Sequence, residues 1–165
     1  MNNFSLKQLR DINFICHPPL KELHFLDRLC KQRHSLSNPN KMKNPIEKID
    51  INKKFALFSE YWRPKVIAEL NGQEVKLVKF KGEFIWHHHD IEDELFLVWR
   101  GSFRVEFRDH IVELKQGELL VVPRGIEHRT IADEEVEVLI FEPKATRNTG
   151  NIADEHFTAP NGTKI

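Results

Sequence analysis

From residue 55 onward the chain is written in short runs of β-branched and aromatic residues, each cut by Gly, Asp or Pro. That texture predicts strands over 74–80, 94–99, 102–108, 111–114, 119–122, 128–131 and 136–142. Closely spaced short strands argue for an antiparallel sandwich or barrel. The alternation agrees: Phe103, Val105 and Phe107 share one face of their run, and Arg104, Glu106 and Arg108 share the other. Arg100-Gly101 and Arg108-Asp109-His110 fit tight hairpin connections. There is no internal repeat and no low-complexity segment.

Residues 1–50 read differently. They are polar and basic, with Pro18, Pro19, Pro39 and Pro45 as breakers. Within them Leu20, Leu23, Phe25, Leu26 and Leu29 recur at helical spacing, which predicts one amphipathic helix in a partly helical or disordered extension. The remaining chain is long enough to bury a core by itself. Twenty-five basic residues balance twenty-five acidic ones. That balance gives no general electrostatic reason to expect nucleic acid or an anionic membrane as partner. Cys16 and Cys30 are too few for a disulfide framework, and no apolar run reaches the length of a membrane span. The N-terminus lacks the apolar stretch of a secretory signal, so the expected location is the cytoplasm.

The stretch from Gly82 to Gly101 carries the chemistry. Side chains two apart on an extended chain point the same way, so His87 and His89 face one point while His88 faces away. Glu94 follows after a turn's length and shares its strand face with Phe96 and Val98. A carboxylate on an apolar face is costly unless a cation or donors compensate it. In a second block, Gly117, Pro123 and Gly125 mark an apolar strand and its turn, and His128 opens the next strand. A lone His-x-His is most simply a surface pair; the two blocks together point to one metal held by His87, His89, Glu94 and His128. Imidazole and carboxylate donors suit a divalent Fe, Mn, Ni, Zn or Cu ion, and four ligands leave coordination positions open.

These two blocks resemble the paired motifs of the cupin superfamily: Gly82, His87, His89, Glu94 and Gly101 in the first, and Gly117, Pro123, Gly125 and His128 in the second. The spacer between Gly82 and His87 is one residue shorter than the usual pattern, and Ala132 stands where an Asn is common. The runs Trp86–Asp90, Asp93–Val98, Val122–His128, Glu142-Pro143 and Asn148-Thr149-Gly150 are similar to a group of small single-domain bacterial cupins, often labelled mannose-6-phosphate-isomerase-like. The resemblance covers roughly residues 50–165, including the tail Thr158–Asn161. It implies an all-β cupin jelly-roll (double-stranded β-helix) barrel over 51–165, with its metal-binding core at about 74–143. It also implies a metal in the barrel mouth, and commonly a homodimer.

Other residues carry weaker expectations. Trp86 and Trp99 either line a ligand pocket or belong to a core or interface. Arg104 and Arg124, with Trp86, are candidate substrate-binding residues: Arg104 from the polar face of its strand, Arg124 from the turn beside His128. Asn148-Thr149-Gly150 either closes over the site or is a polar loop leaving the last strand. Cys16, His17, Cys30 and His34 lack the paired spacing of a zinc site. Three functions follow: a metal-dependent enzyme (an isomerase or a dioxygenase) acting on a small polar, sugar-like or oxygenated metabolite; a non-catalytic metal-dependent sensor; or a homodimer in which the metal is structural. No general base can be assigned.

Overall fold

A computed structural model describes residues 46–165. The predicted N-terminal helix and the cysteine–histidine group lie outside the described residues. A short helix, α1 (Ile51–Phe55), is capped by Asp50, whose side chain accepts a hydrogen bond from the Lys53 amide. Strands β1 (Lys65–Leu70), β2 (Gln73–Glu83), β3 (Glu94–Arg100), β4 (Ser102–Phe107), β5 (Ile111–Lys115), β6 (Leu119–Val122) and β7 (His128–Pro143) follow.

Every strand pairs antiparallel, in the order β1-β2-β7-β3-β6, with β4 on β7 and β5 on β4. The architecture is the all-β jelly roll that the two motifs imply. Strand β1 was not anticipated. It is joined to β2 by Asn71-Gly72, both left-handed at φ 51° and 79°. An Asn-Gly pair of that conformation is the strongest short hairpin signal in a sequence, so the cue was present in the letters.

The runs 128–131 and 136–142, expected as two strands, are one strand of sixteen residues. Asp133-Glu134-Glu135 looks like a turn in sequence. It is instead a bulge: β2 pairs Gly82 with Ala132 and Phe80 with Val136, leaving the acidic triplet opposite Lys81. The triplet is held by cations and a phenol on neighbouring elements. Asp133 binds Arg104, Glu134 binds Lys81, and Glu135 accepts from Lys79 and Tyr61. An acidic run thus stays extended because its charges are met across the sheet rather than by water alone.

The inward faces of the strands build the core, where Phe80, Phe96 and Phe103 meet edge to face and Trp62 stacks on Phe80 at 4.6 Å between centroids. A second cluster covers the outer face of the β2–β7–β3 sheet: Phe55 and Phe58 pack with Leu77, Leu139 and Trp99. Trp99 donates to the Asn52 side chain at 2.9 Å, which settles its role as an outer packing residue. Phe80 touches three other aromatic rings, so Phe80→Ala is expected to cost about 3–5 kcal/mol. Urea melts of the purified chain read this as a lower midpoint at unchanged slope.

Candidate metal centre

The site is built where three segments meet. His87 lies after β2, in a stretch that is extended but outside the main ladder. It is pinned by a pair of backbone hydrogen bonds to His128 at the start of β7, 3.0 Å and 2.9 Å long. His89 is two residues on, with its carbonyl accepting from the Gly125 amide at 2.7 Å. Glu94 opens β3 opposite Val122 of β6. The turn Pro123–Gly125 therefore does two things: it starts the return to His128, and it holds the His89 backbone.

The four side chains converge. Donor atoms of His87, His89 and Glu94 all lie within 4.8 Å of one another. Glu94 Oε2 is 3.3 Å from His89 Nε2 and 3.6 Å from His128 Nε2, and the His87 and His128 rings are 4.4 Å apart. All four residues are buried. Nδ1 of His87 lies 3.0 Å from the Ile85 carbonyl, and Nδ1 of His128 lies 3.0 Å from that of Ile126. A carbonyl only accepts, so each Nδ1 carries the proton and each Nε2 keeps its lone pair. His89 Nε2, His128 Nε2 and Glu94 Oε2 are buried with no hydrogen-bond partner. Buried polar atoms are rarely left so. Two imidazole nitrogens and a carboxylate oxygen in one place are a donor set that fits a cation between them. His88 turns away, as the period of two requires, and bonds Asp90 at 3.0 Å.

Burial shapes the acid–base state of the cluster. Desolvation holds His87 down at about 4, with the charge of His128 acting the same way. His89 is also opposed by burial, but the carboxylates of Glu94, Glu142 and Glu92 together raise it above the ordinary value. For Glu94, burial favours the neutral acid, and the His128 and His89 imidazoles outweigh it, keeping the carboxylate ionised.

The barrel interior beside these residues is lined by Trp62, Phe80, Phe84 and Phe96 together with His87, Glu94, Thr130 and Glu142. About 20 Å³ of it admits the centre of a water molecule, room for about one water. Glu142 was missed in the sequence, although its signal matched the one that revealed Glu94: it alternates with Val136, Val138 and Ile140 on one apolar face. Glu142 Oε1 accepts from Lys76 Nζ at 2.8 Å, and Glu74 Oε2 is 3.2 Å from the same ammonium. Burial first, and the Glu94 charge second, push Glu142 up to about 7 against the pull of Lys76.

None of the three substrate-binding candidates lines this cavity. The Trp86 ring faces the Arg108 guanidinium at 3.8 Å and that of Arg129 at 5.2 Å, a cation–π stack on the side of the strand opposite His87. Arg104 pairs with Asp133 and Glu106 and lines a separate groove with Glu113 and Glu135. Arg124 is exposed and pairs with Asp93 at 3.4 Å. The loop Asn148–Gly150 packs on the site's support. Thr149 is fully buried, His88 and Asn151 exchange hydrogen bonds of 3.0 Å and 2.9 Å, and a Cβ on Gly150 would collide with the His88 carbonyl. Gly150 is also left-handed at φ 51°. Gly150→Ala is therefore expected to push the His87–His89 segment outward and weaken metal uptake by about 10–100-fold, the range for lost support of ligands; equilibrium dialysis against Zn²⁺ measures it.

The cluster also sets a pH dependence. Glu142 has a raised folded value, so the stability it contributes is present at low pH and is lost as pH rises through about 7, and the raised value of His89 acts in the same direction. His87, lowered from 6.5 to about 4, acts in the opposite sense, but most of its contribution is gained below its ordinary value and only a small part remains to be gained above pH 6.5. Metal-free protein is expected to melt at a lower temperature at pH 8 than at pH 6.5, and saturation with Zn²⁺ is expected to abolish or reverse that trend. Calorimetric scans at both pH values provide the check.

Comparison with known proteins agrees with this fold. The family model for the cupin domain matches residues 74–151. A cupin-2 domain protein of Shewanella frigidimarina is 47% identical, with a TM-score of 0.58 over 58% of this chain and 94% of its own. A protein of Neisseria meningitidis is 29% identical, with a TM-score of 0.55 over 59% of this chain and all of its own. The uncharacterized protein YdbB of Bacillus subtilis is 39% identical over 82 residues, which span 49% of this chain and 66% of that protein.

Proposed function

The chain belongs to the cupin superfamily, and on that premise we propose that it binds one divalent cation through His87, His89, Glu94 and His128 and uses it to bind and transform a small polar metabolite. The observation that carries this reading is the set of buried polar atoms without partners on His89, His128 and Glu94, in a cluster completed by His87. Four protein ligands leave positions free for an oxygen of the metabolite. When bound, the ion supplies Lewis-acid polarisation of that oxygen.

The chain's own residues do the rest. The carbonyls of Ile85 and Ile126 fix the tautomers of His87 and His128, so Nε2 is presented without a proton to remove. Phe84, Phe96 and Trp62 keep bulk water from the cluster, which strengthens each electrostatic contact within it. Glu94 stays ionised and lowers the net charge the ion must carry. No helix among the described residues is long and apolar enough to cross a membrane.

Full-length protein stripped with chelator and titrated with Mn²⁺, Fe²⁺, Ni²⁺ and Zn²⁺ is expected to take up one equivalent per chain. His87→Ala is expected to weaken uptake at least about 100-fold, beyond the usual loss from removing a supporting contact. His88→Ala is expected to leave it unchanged. Equal uptake by wild type and His87→Ala would overturn the assignment. Metal-dependent change of a sugar-like or oxygenated compound, followed by NMR, separates an enzyme from a sensor that binds the compound unaltered.

A further inference from the structure

Three carboxylates stand in a row inside the barrel. Glu74 of β2 is paired in register with Glu142 of β7. On the other side β7 pairs Phe141 with Leu95 of β3, and one step further along the same register brings Glu142 opposite Glu94. Such neighbours carry Cβ atoms about 5 Å apart. All three share their strand faces with core residues: Val78 and Phe80 beside Glu74, Ile140 beside Glu142, Phe96 beside Glu94. All three are buried, and so is Lys76, the one cation among them.

Lys76 satisfies only part of this row. Its ammonium meets Oε1 of Glu142 and lies by Glu74, and it also reaches the Thr146 carbonyl at 3.4 Å. Glu142 Oε2 is left buried and without a partner, in the side chain that lines the same cavity as His87 and Glu94. A carboxylate oxygen is an acceptor only. Whatever meets it must be a donor.

Charge decides which kind of donor. The charge of a divalent ion in the adjoining cluster favours the ionised form of Glu142, and the three carboxylates, once ionised, carry two negative charges beyond the one ammonium. A divalent ion among His87, His89, Glu94 and His128 cancels both. With the ion in place the interior is neutral, so a charged ligand group, ammonium or carboxylate, would reintroduce an uncompensated buried charge.

Resting on the metal reading above, we propose that Glu142 is a ligand-binding residue whose free oxygen accepts a hydrogen bond from one hydroxyl group of a neutral polyol or sugar, the single oxygen the cavity admits and the one that also reaches the ion. Lys76 and Glu74 are positioning residues: the ammonium fixes one oxygen of Glu142 and so aims the other into the cavity. The substrate class is thus narrowed to uncharged hydroxyl compounds at the buried end of the site.

Three small molecules of similar size separate these chemistries: ethylene glycol, glycolate and ethanolamine. Proton relaxation of each is measured with the full-length chain carrying Mn²⁺, and the metal content of every variant is determined in the same samples. In wild type, ethylene glycol is expected to show the largest enhancement relative to the same compounds with free Mn²⁺. Glu142→Gln keeps an oxygen for Lys76 but turns a donor amide into the cavity. It is expected to lower the ratio of glycol to glycolate enhancement about tenfold, the scale of one hydrogen bond to a charged group. Glu142→Asp keeps the charge and is expected to retain the wild-type order. A wild type that binds Mn²⁺ without preferring the diol overturns this inference and leaves the metal centre standing. So does an unchanged ratio in Glu142→Gln at full Mn²⁺ occupancy. Wild type that takes up no Mn²⁺ removes the metal reading itself, and this inference with it.

Discussion

The structure hangs on β7. Sixteen residues run without a break from His128 to Pro143, pairing with β2 along most of their length, with β4 at one end and with β3 at the other. Its even-numbered residues form a single inward file: His128, Thr130 and Ala132, then Val136, Val138, Ile140 and Glu142. Because the side-chain period is two, the bulge at Asp133–Glu135 could have thrown half of that file outward. It does not, since three residues opposite one add two residues, a whole side-chain period, and so keep the phase. The same strand therefore delivers His128 to the cluster and Glu142 to the cavity wall.

Burial of charge is the second organising constraint. An ionised carboxylate inside a barrel survives only with partners that replace water. Glu94 finds imidazoles, Glu142 and Glu74 find Lys76, and each of the three still has its Oε2 without a hydrogen bond. On the outer side of the sheet the same constraint is met cheaply. The exposed pairs Arg104–Asp133, Arg108–Glu127 and Lys144–Glu69 face solvent, where each contributes at most about 1 kcal/mol. The contrast separates groups that hold the sheet's surface together from groups whose unmet valence requires something else to bind.

The support around the histidines is covalently remote but physically close. Residues 148–151, leaving the last strand, clamp the backbone of His88, while the Pro123–Gly125 turn clamps that of His89. The Gly125 clamp uses main-chain atoms alone, whereas the clamp on His88 uses the Asn151 side-chain oxygen as well as its amide, so both Asn151 and Gly150 are constrained. Trp86 with Arg108 and Arg129 closes the outer side of the same segment. The ligand-bearing stretch is thus gripped from three directions without being part of a long ladder.

Periodicity by itself fixed which of three consecutive histidines point inward, placed Glu94 on an apolar face, and marked nearly all the strands, because alternation and turn residues are local properties of the chain. The same rule would have found Glu142, Glu74 and Lys76, each alternating with valines or phenylalanines, had polar letters on apolar faces been followed through every strand. Local rules failed at Asp133–Glu135, where acidic residues that spell a turn are held extended by Lys81, Arg104 and Lys79 from other strands. For Trp86, Arg104 and Arg124 the letters left the neighbours open, since only register decides whether an outward arginine meets a cavity or an acidic neighbour. Distances among residues far apart in sequence, and the partnerless oxygens and nitrogens they create, belong to tertiary structure alone: a strand's letters say which face a group takes, but not what stands across from it.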